Sequence, residues 1–203
     1  MCNDYGNRIP YTAYAEAFGE LGLPLVSPLP GDAPNLEPRD EIWPTTHAPV
    51  IRPAPGGVAL AQLAWGLASR QPKARALINL RSEGRGFQHG RCLVPASHYY
   101  EFTGARSPKA RWRFTRAGAE WFCFAGQVGR GPEGVEAFAL LTTDAGPDVA
   151  PYHGRQPVVL DRAAWAAWLD GSGPAQELLR PSPAGSLEVV EAPRAKRQAA
   201  STD

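Results

Sequence analysis

Between Cys92 and Thr143 five runs of strand-forming residues follow one another closely: Cys92-Leu93-Val94-Pro95, Tyr99 to Phe102, Trp112 to Thr115, Trp121 to Val128 and Phe138 to Thr143. Aromatic and β-branched side chains suit a pleated, half-buried surface. Glycines at Gly104, Gly118 and Gly129 to Gly134 separate or border several of these runs. Short strands joined by short turns pair antiparallel, because a parallel pair needs a crossover of a dozen or more residues. The expected architecture is α+β: curved antiparallel sheets forming an open barrel-like core, with helices at the periphery.

The flanks fill in the rest. Tyr14, Ala15, Phe18 and Leu21 recur at helical spacing, which predicts an amphipathic helix over Thr12 to Leu21. Pro24 to Pro55 is proline-rich and aperiodic, so it reads as surface loops with short extended pieces around Ile42 and Val50-Ile51. Ala61 to Leu67 reads as a buried strand ending in a turn, Ala76 to Leu80 as another, and Val158 to Leu160 as a third. Asp161 is a good N-cap for a helix running to Leu169 and stopping at Gly171, with Trp165, Trp168 and Leu169 on its core face. A short helix over Pro174 to Leu179 and a last strand over Leu187 to Val190 complete the expectation. The chain of 203 residues, 43% hydrophobic, suits one domain. Its boundaries are set at 1–192, with a basic, disordered tail over 193–203.

Composition narrows the function classes. A net charge of +1 supplies no global field for a polyanion, so a nucleic-acid site must come from locally clustered arginines. Cys2, Cys92 and Cys123 form neither a CxxC pair nor an even-numbered disulfide framework, which fits a reducing cytoplasm and argues against structural zinc. No apolar run approaches the roughly 20 residues needed to span a bilayer. The expected location is cytoplasmic, and no metal or cofactor is anticipated.

Cys2 offers chemistry that an internal cysteine lacks. Removal of Met1 creates a 1,2-aminothiol whose amine attacks an aldehyde and whose thiol then closes a five-membered thiazolidine. An α-amine titrates at roughly 7.7–8.0, so part of it is nucleophilic near neutrality. Ring closure gains from tethering, at an effective molarity on the order of 10⁵–10⁸ M. Taken alone, a cysteine after the initiator methionine carries no such meaning.

Four polar islands interrupt or border the apolar strands: Asn79-Leu80-Arg81-Ser82-Glu83, Tyr99-Tyr100-Glu101-Phe102, Thr142-Thr143, and Tyr152-His153-Gly154-Arg155-Gln156-Pro157. Glu101 between Tyr100 and Phe102 is notable because a buried carboxylate is costly unless paired. An outward-facing position on an alternating strand would also explain it.

Read together, the Met-Cys start, Trp65-Gly66-Leu67, Asn79-x-Arg81-x-Glu83, Arg91-Cys92-Leu93-Val94-Pro95-Ala96 leading to Tyr100-Glu101, and His153-x-Arg155-x-Pro157 resemble the SOS-response-associated peptidase family. Its members process abasic sites in single-stranded DNA. The resemblance runs from Cys2 to about Leu160. It implies that Cys2 crosslinks to the ring-opened aldehyde of an abasic sugar, that Asn79 holds the α-amine, that Glu101 donates and accepts protons, and that His153 assists ring opening. It also implies self-cleavage of Met1, for which aminopeptidase trimming is an equal alternative.

The same matching places Arg81 and Arg155 beside the DNA backbone, with Thr142 and Trp65 as further lining. Neutralising about three phosphates predicts a log–log salt slope of about −2. The implied partner is single-stranded DNA containing abasic sites, and the protein would be nucleoid-associated when bound. Departures from the family pattern are Asn3-Asp4 after Cys2 in place of Gly-Arg, Gly154 where aspartate is common, Gln156 for methionine, and the 24–55 segment. Two other classes stay open on sequence grounds: an N-terminal-nucleophile amidohydrolase, and a non-enzymatic single-strand binder.

Overall fold

The computed structural model describes residues 2–26, 36–71 and 73–193. In chain order the strands are β1 (Tyr5–Asn7), β2 (Arg39–Ile42), β3 (His47–Ala54), β4 (Gly57–Trp65), β5 (Asn79–Arg81), β6 (Arg91–Ala96), β7 (His98–Thr103), β8 (Ala110–Arg116), β9 (Phe122–Arg130), β10 (Glu136–Asp144), β11 (Arg155–Pro157), β12 (Val159–Leu160) and β13 (Leu187–Ala192). Three short helices sit outside them: α1 (Tyr11–Glu20), α2 (Trp165–Asp170) and α3 (Ala175–Leu178). The α+β class is as expected.

The strands form two sheets. One has five strands in the order β13-β8-β7-β1-β2, and the other eight, in the order β11-β10-β4-β3-β6-β9-β12 with β5 on β10. Because β9 also pairs with β10, the path β10-β4-β3-β6-β9 closes on itself into a ring. Pairing is antiparallel except where β10 runs parallel to β4 and β5. Only Ser97 separates β6 from β7, so the chain crosses from one sheet to the other within a single residue. That crossing brings the two sheets together beside the start of the chain, where the Ser97 N–H donates to Gly6 O at 2.8 Å.

The buried side chains divide into two clusters. One lies under α1 and α2 and includes Tyr14, Phe18, Trp165 and Trp168. The helical face predicted for Trp165, Trp168 and Leu169 is buried as expected. Gly171 ends α2 in the left-handed conformation at φ 75°, which a glycine adopts without steric cost. The other cluster holds Cys2, Tyr5, Trp65, Tyr99, Phe114, Phe124 and Phe138.

Several expectations need correction. The segment 24–55 is not mainly surface loop: β3 is an interior strand, and Val50 and Ile51 are fully buried. Its pairing with β6 is confined to Ile51↔Leu93, between Pro49 and Pro53, which have no N–H to donate. Its other edge pairs with β4 along its full length. Residues 27–35 of that segment lie outside the described residues. Asp161 does not cap a helix through its side chain; a 3-10 turn over Arg162–Ala164 precedes α2, and the Asp161 carboxylate accepts from Arg116 Nη2 at 2.5 Å. Apart from Pro193, the tail expected over 193–203 lies outside the described residues.

Candidate active site at the start of the chain

β1 is held in the five-stranded sheet by the register Tyr5↔Tyr99 with β7 and Tyr5↔Ile42 with β2. This puts Cys2 and Asp4 inside the protein, both fully buried, with Asn3 exposed between them. The Asp4 carbonyl accepts the Tyr100 N–H at 2.9 Å and faces the Cys2 Sγ at 3.6 Å. From the other sheet, Asn79 at the first position of β5 donates through Nδ2 to the Cys2 carbonyl at 2.7 Å. Asn79 Oδ1 is buried without a hydrogen-bond partner among the described residues. The resemblance led us to expect Asn79 at the α-amine; its amide nitrogen holds the neighbouring carbonyl, and its oxygen is the acceptor left for an amine.

Glu101 follows Tyr99 by two residues on β7 and so shares its face. It is 2% exposed, which decides against the outward-facing alternative. Burial pushes its carboxyl up to about 7, against the opposing pull of the chain's positive amino terminus. Burial also raises the Cys2 thiol well above its ordinary value, and the Glu101 charge adds to the rise. The two groups therefore belong to one electrostatic neighbourhood.

His153 lies in the turn between β10 and β11, where its backbone N–H donates to Val149 O at 3.0 Å. His153 Nδ1 lies 3.0 Å from the Arg155 carbonyl oxygen and 2.9 Å from the Arg155 nitrogen; in the tautomer whose Nδ1–H donates to that carbonyl, Nε2 is the unprotonated ring nitrogen. Burial lowers the His153 pKa, and the amino-terminal charge lowers it further, which favours the neutral imidazole. The preceding Tyr152 packs on Trp112 at a ring separation of 4.7 Å, and Trp112 stands opposite Glu101 in the β7–β8 register. The turn carrying His153 is thus tied to the strand pair carrying Glu101.

Of the four residues expected to line DNA, one is exposed: Arg81. Trp65 is fully buried, packs edge-on to Tyr5 at 5.2 Å and donates Nε1 to Ile78 O, so it presents no face for base stacking. The glycine after it sits at φ 146°, where an added Cβ would fall 2.8 Å from Ala76 Cβ. Thr142 is also buried, with Oγ1 donating to Leu80 O at 3.2 Å. Arg155 is already engaged. It meets both Glu83 oxygens at 2.6 and 2.9 Å, Asp144 at 2.8 Å and the Thr142 carbonyl at 2.9 Å.

These contacts explain how the chain manages with Gly154, since Arg155 draws its support from Glu83 and Asp144. Gln156 is buried and structural, accepting from Gly146 N and donating to Ser182 Oγ.

Sequence reasoning missed the group that holds Asp4. Arg111 Nη2 donates to Asp4 Oδ2 at 2.7 Å and to Glu41 Oε1 at 2.6 Å, and its Cζ lies 3.4 Å from the centre of the Tyr100 ring. Burial raises the Asp4 carboxyl and Arg111 pulls it down; with the guanidinium at 2.7 Å, the ionised pair is the form the geometry fits. The exposed Trp43 was missed as well. Among the described residues no cluster of three or more His, Cys, Asp or Glu is arranged to hold a metal, and no helix is long and apolar enough to cross a membrane.

The fold is mostly β, in two sheets, with a buried cysteine at position 2 beside an amide and a carboxyl. The chain belongs to the SOS response associated peptidase (SRAP) family, whose sequence model matches residues 1–195. A search of curated proteins returns no significant match. Among solved structures, a protein of Bordetella bronchiseptica is similar at 23% identity and TM-score 0.68, over 95% of this chain and 100% of that one. A phage-related protein of the same organism gives 24% identity and TM-score 0.72 over 95% of each chain. A protein of Bacteroides thetaiotaomicron gives 19% and 0.71, over 94% of this chain and 91% of that one. At these identities the likeness shows the fold.

Proposed function

We propose that this protein, once Met1 is removed, captures the ring-opened aldehyde of an abasic site in single-stranded DNA as a thiazolidine on Cys2. The observation that carries the reading is the part-buried Asn79–Cys2 contact at 2.7 Å beside Glu101. The freed α-amine adds to the aldehyde carbon to give a carbinolamine, which loses water to form an imine. The Cys2 sulfur then adds to the imine carbon and its proton passes to the nitrogen. The balance is aminothiol plus aldehyde giving thiazolidine plus water, with no change of oxidation state.

Both ends of this sequence need proton transfer. Glu101, pushed up to about 7, exists as acid and carboxylate near neutrality and so serves in either direction. His153, held towards its neutral form, is a base for opening the sugar ring. Asn79 Oδ1 supplies an acceptor for the α-amine. Arg81 is the exposed cation of the set available to a phosphate. Hydrolysis of the Met1–Cys2 peptide bond, with water as co-reactant, is assigned to the same groups and accords with the family's designation as peptidases.

Intact mass of the protein, with and without an abasic oligonucleotide, tests both parts. Processed protein is expected to gain the mass of the strand less one water in a denaturation-resistant product. Cys2→Ala is expected to form none, and persistence of the same product would remove the mechanism. Glu101→Gln is expected to retain Met1 when expressed alone. After trimming by a methionine aminopeptidase it should form adduct about 10²-fold more slowly or worse, the usual size of a lost general acid–base group.

A further inference from the structure

Arg111 is buried at 5% side-chain exposure and is shared by Asp4, fully buried, and Glu41, which is 22% exposed. A buried ion pair of this kind adds little to stability, because desolvation of the charges offsets their attraction; apolar side chains of similar volume commonly do as well or better. Geometry is what such a pair supplies. Asp4 is two residues from Cys2, and its carbonyl is the atom facing the Cys2 thiol. The segment 2–4 is therefore fixed from two directions: Asn79 of the ring sheet holds the Cys2 carbonyl, and Arg111 of the five-stranded sheet holds the Asp4 carboxylate.

Loss of Met1 changes the weight of these two anchors. Residue 2 then has a covalent neighbour on one side only, and chain ends lose order unless tied down. The downstream anchor becomes the one that keeps the aminothiol in register with Glu101.

We propose that Arg111 is a positioning residue for Cys2, acting through its buried ion pair with Asp4 and seated by Glu41 and the Tyr100 ring. The inference rests on the aldehyde-capture reading. A misplacement of about 1 Å at a reacting group costs on the order of 10²-fold in rate. A role confined to stability would leave the rate per folded molecule unchanged.

The test uses Met1-processed full-length wild type, Asp4→Asn, Arg111→Met and Arg111→Lys, each assayed for folded fraction and well below its melting temperature. Adduct formation with an abasic oligonucleotide is followed over protein concentration, to separate the maximal rate from apparent affinity. A second assay follows thiazolidine formation on Cys2 with excess glyoxylate, a small aldehyde with no phosphate, by intact mass. Asp4→Asn and Arg111→Met are expected to lower the maximal rate about 10- to 100-fold in both assays, with affinity for the strand within about twofold. Arg111→Lys, which keeps the charge, is expected to recover most of the rate.

Rates of Asp4→Asn and Arg111→Met within about twofold of wild type in both assays, or a loss confined to affinity, would overturn the proposal. If Arg111→Met does not fold, Asp4→Asn decides by the same criterion. Wild type that captures glyoxylate but not the abasic strand would sink the DNA reading and leave the positioning inference to be judged on glyoxylate rates. Wild type that captures neither overturns both.

Discussion

The two buried clusters have similar residue types but opposite polar accounting. Under α1 and α2 every large polar-tipped side chain is satisfied: Tyr14 exchanges hydrogen bonds with Asn7, Trp165 donates to Leu160 O and Trp168 to Cys92 O. Around the start of the chain, Tyr5 Oη, Tyr99 Oη, Asn79 Oδ1, Asp4 Oδ1 and Arg111 Nε are buried without partners among the described residues. Each such atom costs about 1–3 kcal/mol relative to a paired one. Native interiors contain few of them, so their concentration in one place sets this region apart. On the proposed reading, the first cluster holds the fold and the second holds the chemistry.

The sharpest way to separate the two is to remove packing from the first. Trp168→Ala deletes a fully buried ring that also accepts the stacked Arg91 guanidinium, and should cost about 3–5 kcal/mol in denaturant unfolding. Aldehyde capture per folded molecule should be retained. Loss of capture with stability intact would invert the comparison.

Next in size is the response to pH, which belongs to the second cluster alone. Glu101 is raised from 4.5 to about 7. Between those limits the native protein keeps a proton that the unfolded chain has released, so its contribution is full at low pH and is lost as pH rises towards and through about 7. Melting temperature over this range should therefore fall with rising pH by more in wild type than in Glu101→Gln. An equal slope in both would deny that this carboxyl is held protonated by burial.

The smallest expected effect is the most pointed. Tyr99→Phe and Tyr5→Phe remove hydroxyls that have no hydrogen-bond partner among the described residues, and each should leave stability within about 1 kcal/mol of wild type or raise it. In the first cluster Tyr14→Phe breaks a bond pair with Asn7 and should lose about 1–2 kcal/mol. If all three lose the same amount by thermal unfolding, the supposed difference between the regions disappears.

Much of the architecture was legible because it is written locally. The strands from Cys92 to Thr143 carry runs of aromatic and branched residues bounded by glycine, and each formed close to its expected limits. β3 was not legible, because Pro49 and Pro53 argue against an interior strand, and only the register shows that the pairing on one side needs neither N–H. Cys2, Asn79, Glu101 and His153 could be singled out from motif chemistry. The burial of Trp65 could not, since an aromatic in a strand reads alike whether it faces a groove or a core. Asp4 and Arg111 are 107 positions apart and meet through two successive strand registers, a relation no local pattern encodes.

On the proposed reading, Arg155 would enter a polyanion site as a cation with its place already taken. A phosphate arriving there must evict Glu83 or Asp144, exchanging one anion for another rather than filling a vacancy. Added electrolyte weakens the incumbent and the newcomer together, so this arginine should contribute less to ionic-strength sensitivity than a solvent-facing one such as Arg81. On the proposed reading, the dependence of strand binding on salt would then be shallower than a head count of arginines gives, and neutralising Glu83 would steepen it.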